Sequence, residues 1–504
     1  MRKKFNRNTF FYATLIVIAS GFIVKLLGLI NKIAITRVLG TEGMSLYVLS
    51  FPTIMLFVSL SGMSLYVTMS KLVSEAMINR KYSPKNLLKS AFKISMIVSF
   101  FTCLLYIILL RPLTHFFLKN DALYTPLLTG LVLIPLVGMS DGLKGYFNGL
   151  KQSTIATAGN LAEQIGRIGF SITFLFIMIP YGTTLATVFC LLALSFGEIC
   201  AIIFCLIKLK KYPPAHFEHT ENETKAILAM SIPNTFSRLL GNFTYFLEPI
   251  LYTGVLSYLG YTLHAIHQTY TIIDAYTIPL LTFFSFLPFA ISNTIVPGVS
   301  IAATQRNATS ITYYIQKALL FCAIPALILL INLFYFSKDY MHLIYRTTEG
   351  TEYISLLCFL FLFYYIDIPL VSILQALGKS KQLFISSTII HILRLALIVI
   401  FSCIPSFGLY SILFASTATL LVGTIIHFIQ IKKYTGYTPS AARLCYLMMT
   451  FLITFLLMVI LHRWGVHYLL IFCATASCML ILSIAFRLIW IESLFSKFKR
   501  SSKT

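Results

Sequence analysis

Long apolar segments follow one another along almost the whole of this 504-residue chain, with short loops between them. A helix needs about 20 residues to cross the hydrocarbon core of a bilayer, and each segment reaches that length. Hydrophobic residues make up 58% of the sequence and charged residues only 11%, which excludes a water-soluble globular protein. We therefore predict an all-α polytopic membrane protein with fourteen transmembrane helices.

The lysine and arginine residues indicate how the chain is oriented in the membrane. Most of the 39 fall at the N-terminus, in every second loop and in the C-terminal tail, and Lys144 and Lys151 are assigned to one of these loops. Such an excess marks the cytoplasmic side. We expect a multi-pass protein of the cell membrane with both termini in the cytoplasm. The first apolar stretch exceeds the core of a signal peptide, so it is interpreted as a retained span.

Two halves of the sequence repeat short patterns in the same order. Lys25-Leu26-Leu27-Gly28 in the first span resembles Arg238-Leu239-Leu240-Gly241 in the seventh. The fifth and eleventh spans each carry an arginine, Arg167 or Arg394, that is followed by an Ile-Pro pair. Parallel repeats of this kind place ligand sites between two pseudo-symmetric lobes. The predicted divisions are an N-terminal six-helix lobe (1–207), a cytoplasmic linker (208–225), a C-terminal six-helix lobe (226–431), and two further helices with a basic tail (432–504).

Cations inside the spans are the first candidates for a binding site. Lys25 lies about 20 Å from the inner end of its helix, too far for its side chain to reach the head groups. Lys32 shares a helix face with Lys25, and Arg238 occupies the matching place in the second half. A charge at this depth is expensive, so we predict that these three residues bind an anion. The alternative is a set of structural ion pairs with acids on neighbouring helices.

Further polar residues in the spans are candidates for a cavity or for binding a coupling ion. Glu248 and Asp274 could balance Arg238 or bind a proton or sodium ion, whereas Glu163 could neutralise Arg167 one helical turn away. Arg394 could pair with Asp367. Glu198 and His391 are interpreted as isolated groups with local hydrogen bonds. The full set of cavity or coupling candidates is Asn31, Asn234, Asn242, Glu248, Asp274, Arg167, Glu163 and Arg394.

Signals of enzyme chemistry are weak in this sequence. Gly378-Lys379-Ser380 lacks the earlier glycine of a phosphate-binding loop, and neither HExxH nor GxSxG occurs. The ten cysteines fall inside predicted spans without metal-ligand spacing. We therefore predict that the protein is not an enzyme and has no cofactor, metal site or nucleic-acid partner.

Several stretches together match the pattern of one known family. They are residues 28–43, 71–75, 133–136, 145–149, 162–167, 237–240 and 296–297. In this combination the chain resembles the stage V sporulation protein B group of polysaccharide transporters. That group belongs to the multidrug/oligosaccharidyl-lipid/polysaccharide exporter superfamily and is similar to the lipid II flippases of peptidoglycan synthesis.

The resemblance implies alternating access and a cationic cavity that receives the diphosphate of an undecaprenyl-linked sugar or peptidoglycan precursor. It places Lys25 and Arg238 where these transporters commonly carry basic residues, and it gives the last two helices a groove for the polyprenyl tail. With Lys32 on the same face as Lys25, we expect these three cations to attract the diphosphate. The function implied is a flippase for cell-wall, spore-cortex or polysaccharide synthesis. Lipid II flippases carry an Arg-Asp pair where this chain has Asn31-Lys32, so the lipid-linked substrate stays open.

Two other functions are alternatives at this point. A cation-coupled multidrug exporter belongs to the same superfamily, but its cavity would favour acidic and aromatic residues over deep cations. A non-transporting membrane scaffold for envelope or spore assembly would bury the polar residues of the spans against each other without a cavity.

Overall fold

The computed structural model describes residues 7–211, 222–486 and 488. Within those residues the backbone is almost entirely helical and contains no strand, which confirms the prediction of an all-α membrane protein. Short 3₁₀ and π turns join some of the helices. The helices are α1 (Arg7–Gly62), α2 (Leu65–Asn79), α3 (Pro84–Pro112), α4 (Tyr124–Leu128), α5 (Gly130–Gly149), α6 (Ser153–Met178), α7 (Thr183–Lys211), α8 (Glu223–Tyr258), α9 (Leu263–Thr271), α10 (Ile278–Leu281), α11 (Phe286–Thr304), α12 (Ala308–Tyr345), α13 (Thr351–Leu357), α14 (Leu362–Ala376), α15 (Ser380–Ser402), α16 (Ser411–Thr435), α17 (Ala441–Arg463) and α18 (Tyr468–Ala485).

The number of membrane spans is lower in the described residues than the sequence predicts. Eleven candidates are long and apolar enough to cross a membrane, or up to twelve if the bent pair Leu263–Leu281 and Phe283–Ser292 forms one span. The first candidate, Phe22–Ile78, has 57 residues, and a straight helix of that length would extend about 85 Å, far beyond one crossing. Helix α8, which carries Asn234, Arg238 and Glu248, is not among the candidates. The total of fourteen therefore stays a prediction.

Gly40 divides α1 into two helical parts. Its backbone has φ 64° and ψ −169°, a conformation that glycine adopts far more readily than other residues. A Cβ atom at this position would meet nothing within 4 Å, so the requirement for glycine is conformational rather than spatial. The part before Gly40 carries Lys25 and Lys32, and the part after it carries Tyr47 and Ser59.

The described chain divides into two compact units. The first unit consists of the described part of Met1–Ala275 together with Leu395–Ile412. Its core lies among α2, α3, α5 and α7, where large side chains such as Leu65, Tyr146 and Phe147 are fully buried. Burial of these apolar side chains against one another stabilises the unit.

Two glycines let α5 pack closely on α2 within the first unit. A Cβ atom on Gly145 would lie 2.5 Å from the carbonyl oxygen of Tyr66, and one on Gly149 would lie 2.7 Å from the carbonyl oxygen of Ser70. Between them, the Asn148 amide donates to Ser70 Oγ at 2.8 Å. This spacing of small residues is typical of close helix contacts in membranes.

The second unit consists of the described part of Tyr276–Arg394 and Leu413–Thr504. Its core is formed by apolar residues of α11, α12, α14 and α16, among them Ile315, Leu370 and Ile431. Helix α18 joins this unit through a buried hydrogen bond in which Asn332 Nδ2 donates to Thr475 Oγ1 at 3.0 Å. The sequence-based division into lobes at 207 and 226 stays a prediction.

Candidate functional site

Lys32 and Asp274 lie together in the first unit. Lys32 Nζ donates a hydrogen bond to the backbone oxygen of Asp274 at 3.1 Å and lies 4.0 Å from its carboxylate. The side chains of Lys32 and Asp274 are 35% and 22% exposed, so this contact is open on one side. One predicted anion-binding residue and one predicted coupling residue are therefore brought together. The backbone of Lys25 lies in α1, but its side chain is outside the described residues.

Tyr47 is a second group of α1 that interacts electrostatically with Asp274. The charges of Arg167 and Asp274 both act on it. Tyr47 belongs to the part of α1 after Gly40, whereas Lys32 belongs to the part before it. The change of direction at Gly40 thus allows one helix to contribute two groups near Asp274.

Four charged side chains of α5, α6 and α7 form a buried charge cluster. Lys144 Nζ lies 2.6 Å from Glu163 Oε2 and 3.4 Å from Glu198 Oε2, and Arg167 donates to the other oxygen of Glu163. Lys144 is 5% exposed, and the two glutamates are 12% and 11% exposed. Two positive and two negative charges neutralise each other here, which is the condition for keeping charges out of water.

The charge cluster corrects two interpretations made from the sequence. Lys144 was assigned to a cytoplasmic loop, but it lies within α5 and its side chain is buried. Glu198 was interpreted as an isolated group with local hydrogen bonds, but it contacts Lys144, which is 54 residues away in the sequence. The predicted pair of Glu163 and Arg167 does form, as a part of this larger network.

Arg238 lies on α8 with an exposed side chain. Its positive charge, together with that of Lys144, acts on Asp141, which lies one turn before Lys144 on α5. Asp141 was not singled out from the sequence as a partner of Arg238. The partners expected there were Glu248 and Asp274, and Asp274 instead contacts Lys32.

The remaining predicted residues of the first unit are largely buried. On α8, Asn242 donates to Ser59 Oγ, Asn234 is half-buried, and Glu248 is buried. Asn31 on α1 is also buried, and its Oδ1 has no hydrogen-bond partner among the described residues. The hydrogen bond from Asn242 to Ser59 connects α8 to the second part of α1.

In the second unit, Asp367 contacts a histidine that the sequence did not single out. His427 Nδ1 lies 2.7 Å from Asp367 Oδ1, and His427 Nε2 lies 3.2 Å from Ser386 Oγ. Arg394, the partner expected for Asp367, lies half-buried on α15. Both Asp367 and His427 stand alone on apolar helices, so their pairing was not visible from either helix by itself.

An apolar groove of about 300 Å³ runs along α12, α14, α16 and α17 of the second unit. Phe363, Ile366, Phe428 and Leu447 are among the residues that line it. The guanidinium of Arg443 donates to Gln316, and both residues also line the groove. A groove with an apolar wall and a cation is suited to an amphiphilic chain with an anionic head.

Residues 11–283, more than half of the chain, match the family described as polysaccharide biosynthesis protein. The chain belongs to this polysaccharide biosynthesis protein family. The matched range contains most of α1 and the whole of α2 to α10, and hence Lys32, Asp274, Arg238 and the whole charge cluster.

Two relatives come from Bacillus subtilis (strain 168). Stage V sporulation protein B is 26% identical over 436 residues, which cover 85% of this chain and 84% of the relative. Sporulation protein YkvU is 23% identical over 436 residues, which cover 84% of this chain and 96% of the relative. The resemblance predicted from the sequence is therefore confirmed.

Two solved structures share the fold. The lipid II flippase MurJ in an inward closed conformation matches with a TM-score of 0.69 and 14% identity, over 95% of this chain and 100% of that chain. An inward-facing multidrug resistance MATE family transporter of the MOP superfamily matches with a TM-score of 0.67 and 13% identity, over 84% and 98% of the two chains. One neighbour is a flippase and the other a transporter, and at these identities the likeness shows the shared fold.

Proposed function

We propose that this protein is a flippase that moves an undecaprenyl-diphosphate-linked sugar or peptidoglycan precursor across the cytoplasmic membrane by alternating access. Membership of the polysaccharide biosynthesis family and the likeness to stage V sporulation protein B support a lipid-linked saccharide as the substrate class. The likeness to MurJ supports a fold capable of flipping such a lipid. Both termini in the cytoplasm and a two-lobe division with corresponding helices are parts of this proposal.

The exposed side chain of Arg238 is the observation that carries the proposal. A guanidinium on a helix of a membrane protein costs several kcal/mol when it faces lipid, so it faces water or a ligand instead. Lys32 adds a second cation that is only partly covered by Asp274. With Lys25 on the same helix, these residues form the proposed diphosphate site, in which charge-assisted hydrogen bonds hold the substrate.

The proposed binding step exchanges partners at Lys32. In the present structure its ammonium group contacts the Asp274 backbone and carboxylate. A diphosphate that enters beside Lys32 would replace these contacts and leave the Asp274 carboxylate able to take up a coupling ion.

Leaflet accessibility of a labelled undecaprenyl-diphosphate sugar tests the function directly. The purified protein is reconstituted into vesicles, and the fraction of the label that an added enzyme can reach from outside is measured over time. We expect wild-type protein to move the label and Lys32→Gln with Arg238→Gln to abolish movement. Lys85→Gln removes an exposed positive charge at the start of α3 and serves as the matched control.

The same vesicles separate the alternatives. A multidrug exporter, suggested by the likeness to MATE transporters, would move an amphiphilic cationic dye and leave the lipid label in place. A scaffold would move neither, and the double substitution would change only protein stability. Full movement of the lipid label by the double variant would contradict the proposed diphosphate site.

A further inference from the structure

Asp367, His427 and Ser386 form a polar cluster inside the apolar second unit. They lie on three different helices, α14, α16 and α15, and no two of them are close in the sequence. The imidazole of His427 is 4% exposed, and it has a partner at each ring nitrogen. Asp367 is 23% exposed, so the cluster reaches the surface of the unit through the carboxylate.

The hydrogen bonds of this cluster can be completed in two protonation states. When His427 is neutral, Nδ1–H donates to Asp367 and the Ser386 hydroxyl donates to Nε2, at 2.7 and 3.2 Å. When His427 is protonated, both ring nitrogens donate, and the Ser386 hydroxyl turns to donate to the Leu383 carbonyl oxygen, 3.0 Å away. One hydroxyl rotation therefore accommodates one added proton without leaving a buried donor unpaired.

The charges around the cluster leave Asp367 as the group that compensates a protonated imidazole. Asp367 and Ser386 are the hydrogen-bond and ion-pair partners of His427 among the described residues. Helix α11 carries no titratable residue. The other titratable groups on the three helices of the cluster are Tyr364 and Tyr365 of α14, Lys381, His391 and Arg394 of α15, and Lys432, Lys433 and Tyr434 of α16. The neighbouring helices add Tyr313, Tyr314, Lys317, Cys322, Tyr335, Lys338, Asp339, Tyr340, His342 and Tyr345 of α12 and Arg443, Cys445, Tyr446, His462 and Arg463 of α17, and the loops 305–307, 377–379 and 436–440 add Arg306, Lys379 and Tyr437. The one other carboxylate among these described groups, Asp339, follows the start of α12 by 31 residues.

The three residues lie at a common depth. Asp367 precedes the end of α14 by nine residues, Ser386 follows the start of α15 by six, and His427 precedes the end of α16 by eight. At the rise of an α-helix these separations are about 14, 9 and 12 Å. The helix ends concerned adjoin Lys379, Lys381 and Lys432, which the sequence assigns to the cytoplasmic side. The cluster therefore lies inside the spans but within reach of one face.

The cluster shares two helices with the apolar groove. Ile366 and Phe428, the sequence neighbours of Asp367 and His427, both line the groove, as does Thr424 one turn before His427. A change in the hydrogen bonds between α14 and α16 would therefore act on the wall of the groove. This gives proton binding a physical route to a ligand in the groove.

We propose that Asp367, His427 and Ser386 form a proton-binding site, and that proton uptake and release at this site are coupled to the transport cycle. The proton comes from water and is held on the imidazole between the Asp367 carboxylate and the Ser386 hydroxyl. The coupling rests on the proposed flippase function, whereas proton binding by the cluster does not. The two parts therefore need separate measurements.

Proton binding is measured on the full chain in vesicles, without any transport. Exchange of the imidazole C2 hydrogen for deuterium depends on the protonation state of a histidine, and mass spectrometry reports it for each one. The exchange rate at each histidine is measured from about pH 5 to about pH 9, and a step with pH at His427 is the result that supports the proton site. Asp367→Asn should lower the proton affinity of His427 about tenfold, because a full negative charge beside the imidazole is removed. Absence of a step at His427, or an unchanged midpoint in Asp367→Asn, overturns the proton site.

Coupling is measured as the dependence of lipid-label movement on an imposed pH gradient. We expect the gradient to alter the rate in wild-type vesicles and to have no effect on His427→Gln, which retains a hydrogen-bonding side chain. Ser386→Ala, a smaller change, should weaken the dependence. His391→Gln removes another histidine within a span and should keep it.

The outcomes distinguish the two proposals. Coupling is overturned if the pH gradient does not alter the rate of lipid-label movement by the wild-type protein. It is also overturned if His427→Gln keeps the wild-type dependence on the gradient. Absence of movement in every vesicle contradicts the flippase function and with it the coupling, while the exchange measurement still decides whether the cluster binds a proton.

Discussion

The charge cluster of Lys144, Glu163, Arg167 and Glu198 differs from the contact of Lys32 with Asp274 in how completely its lysine is enclosed. Lys144 is 5% exposed and has two carboxylate partners, whereas Lys32 is 35% exposed and lies 4.0 Å from one carboxylate. Both regions belong to the first unit and carry lysines of membrane helices. Lys144 is enclosed and paired with two carboxylates, whereas the partly exposed side chain of Lys32 leaves room for another group to contact it. How far a charged residue lies from the end of a predicted span therefore does not by itself distinguish a structural role from a binding role.

The largest loss of stability is expected when Glu163, the partner that Lys144 and Arg167 share, is changed. Glu163→Gln leaves both Lys144 and Arg167 with less compensation in a buried place, and we expect a loss of about 3–5 kcal/mol in stability. Thermal unfolding of the detergent-solubilised protein, followed by size-exclusion chromatography, measures the effect. The double variant Glu163→Gln with Arg167→Gln should recover part of the loss. A wild-type melting temperature in the single variant would contradict the structural role.

A substitution on α5 tests whether packing, rather than charge, stabilises the same region. Gly149→Leu forces a side chain against the backbone of Ser70, and we expect it to lower stability by about 1–3 kcal/mol. Gly142→Ala on the same helix is the matched control, because a Cβ atom there meets nothing within 4 Å. The control should be neutral or slightly stabilising. Equal melting temperatures for the two variants would show that close packing of α2 on α5 is unimportant.

The smallest change in stability is expected at the open contact. Lys32→Gln removes a lysine whose side chain is partly exposed, so the free energy of unfolding should change by no more than about 1 kcal/mol. Movement of the lipid label should nevertheless fall sharply in the flippase assay. A large loss of stability in this variant would place Lys32 with Lys144 as a structural residue and remove the contrast between the two regions.

The sequence predicted the helical class and the family of this protein because both depend on local patterns. Apolar segments of membrane length specify helices, and the short motif around Gly145 and Gly149 carries part of the family resemblance. The structure adds a reason for that motif, since the two glycines let α5 approach the backbone of α2. Gly40, in another of the family stretches, occupies the position where α1 changes direction.

The pairing of charged side chains could not be predicted in the same way. Lys144 lies near turn-forming residues and was assigned to a loop, although Glu198, 54 residues later, holds it inside the unit. His427 and Asp367 are 60 residues apart, and each is the kind of lone polar group that occurs on many apolar helices. Contacts between helices depend on their tertiary packing, which hydropathy does not encode. A shared distance from the same ends of neighbouring spans was the one available signal for His427 and Asp367.

The balance within the charge cluster has an electrical consequence. Lys144 and Arg167 carry two positive charges, and Glu163 and Glu198 carry two negative charges, so the cluster as a whole has no net charge. Moving one elementary charge through a membrane potential of 100 mV changes the free energy by about 2.3 kcal/mol. Helices α5, α6 and α7 can therefore shift together in the membrane field without electrical work on these four residues. The resting potential of the cell would therefore act on the proposed substrate and on Lys32 and Arg238 rather than on these four residues.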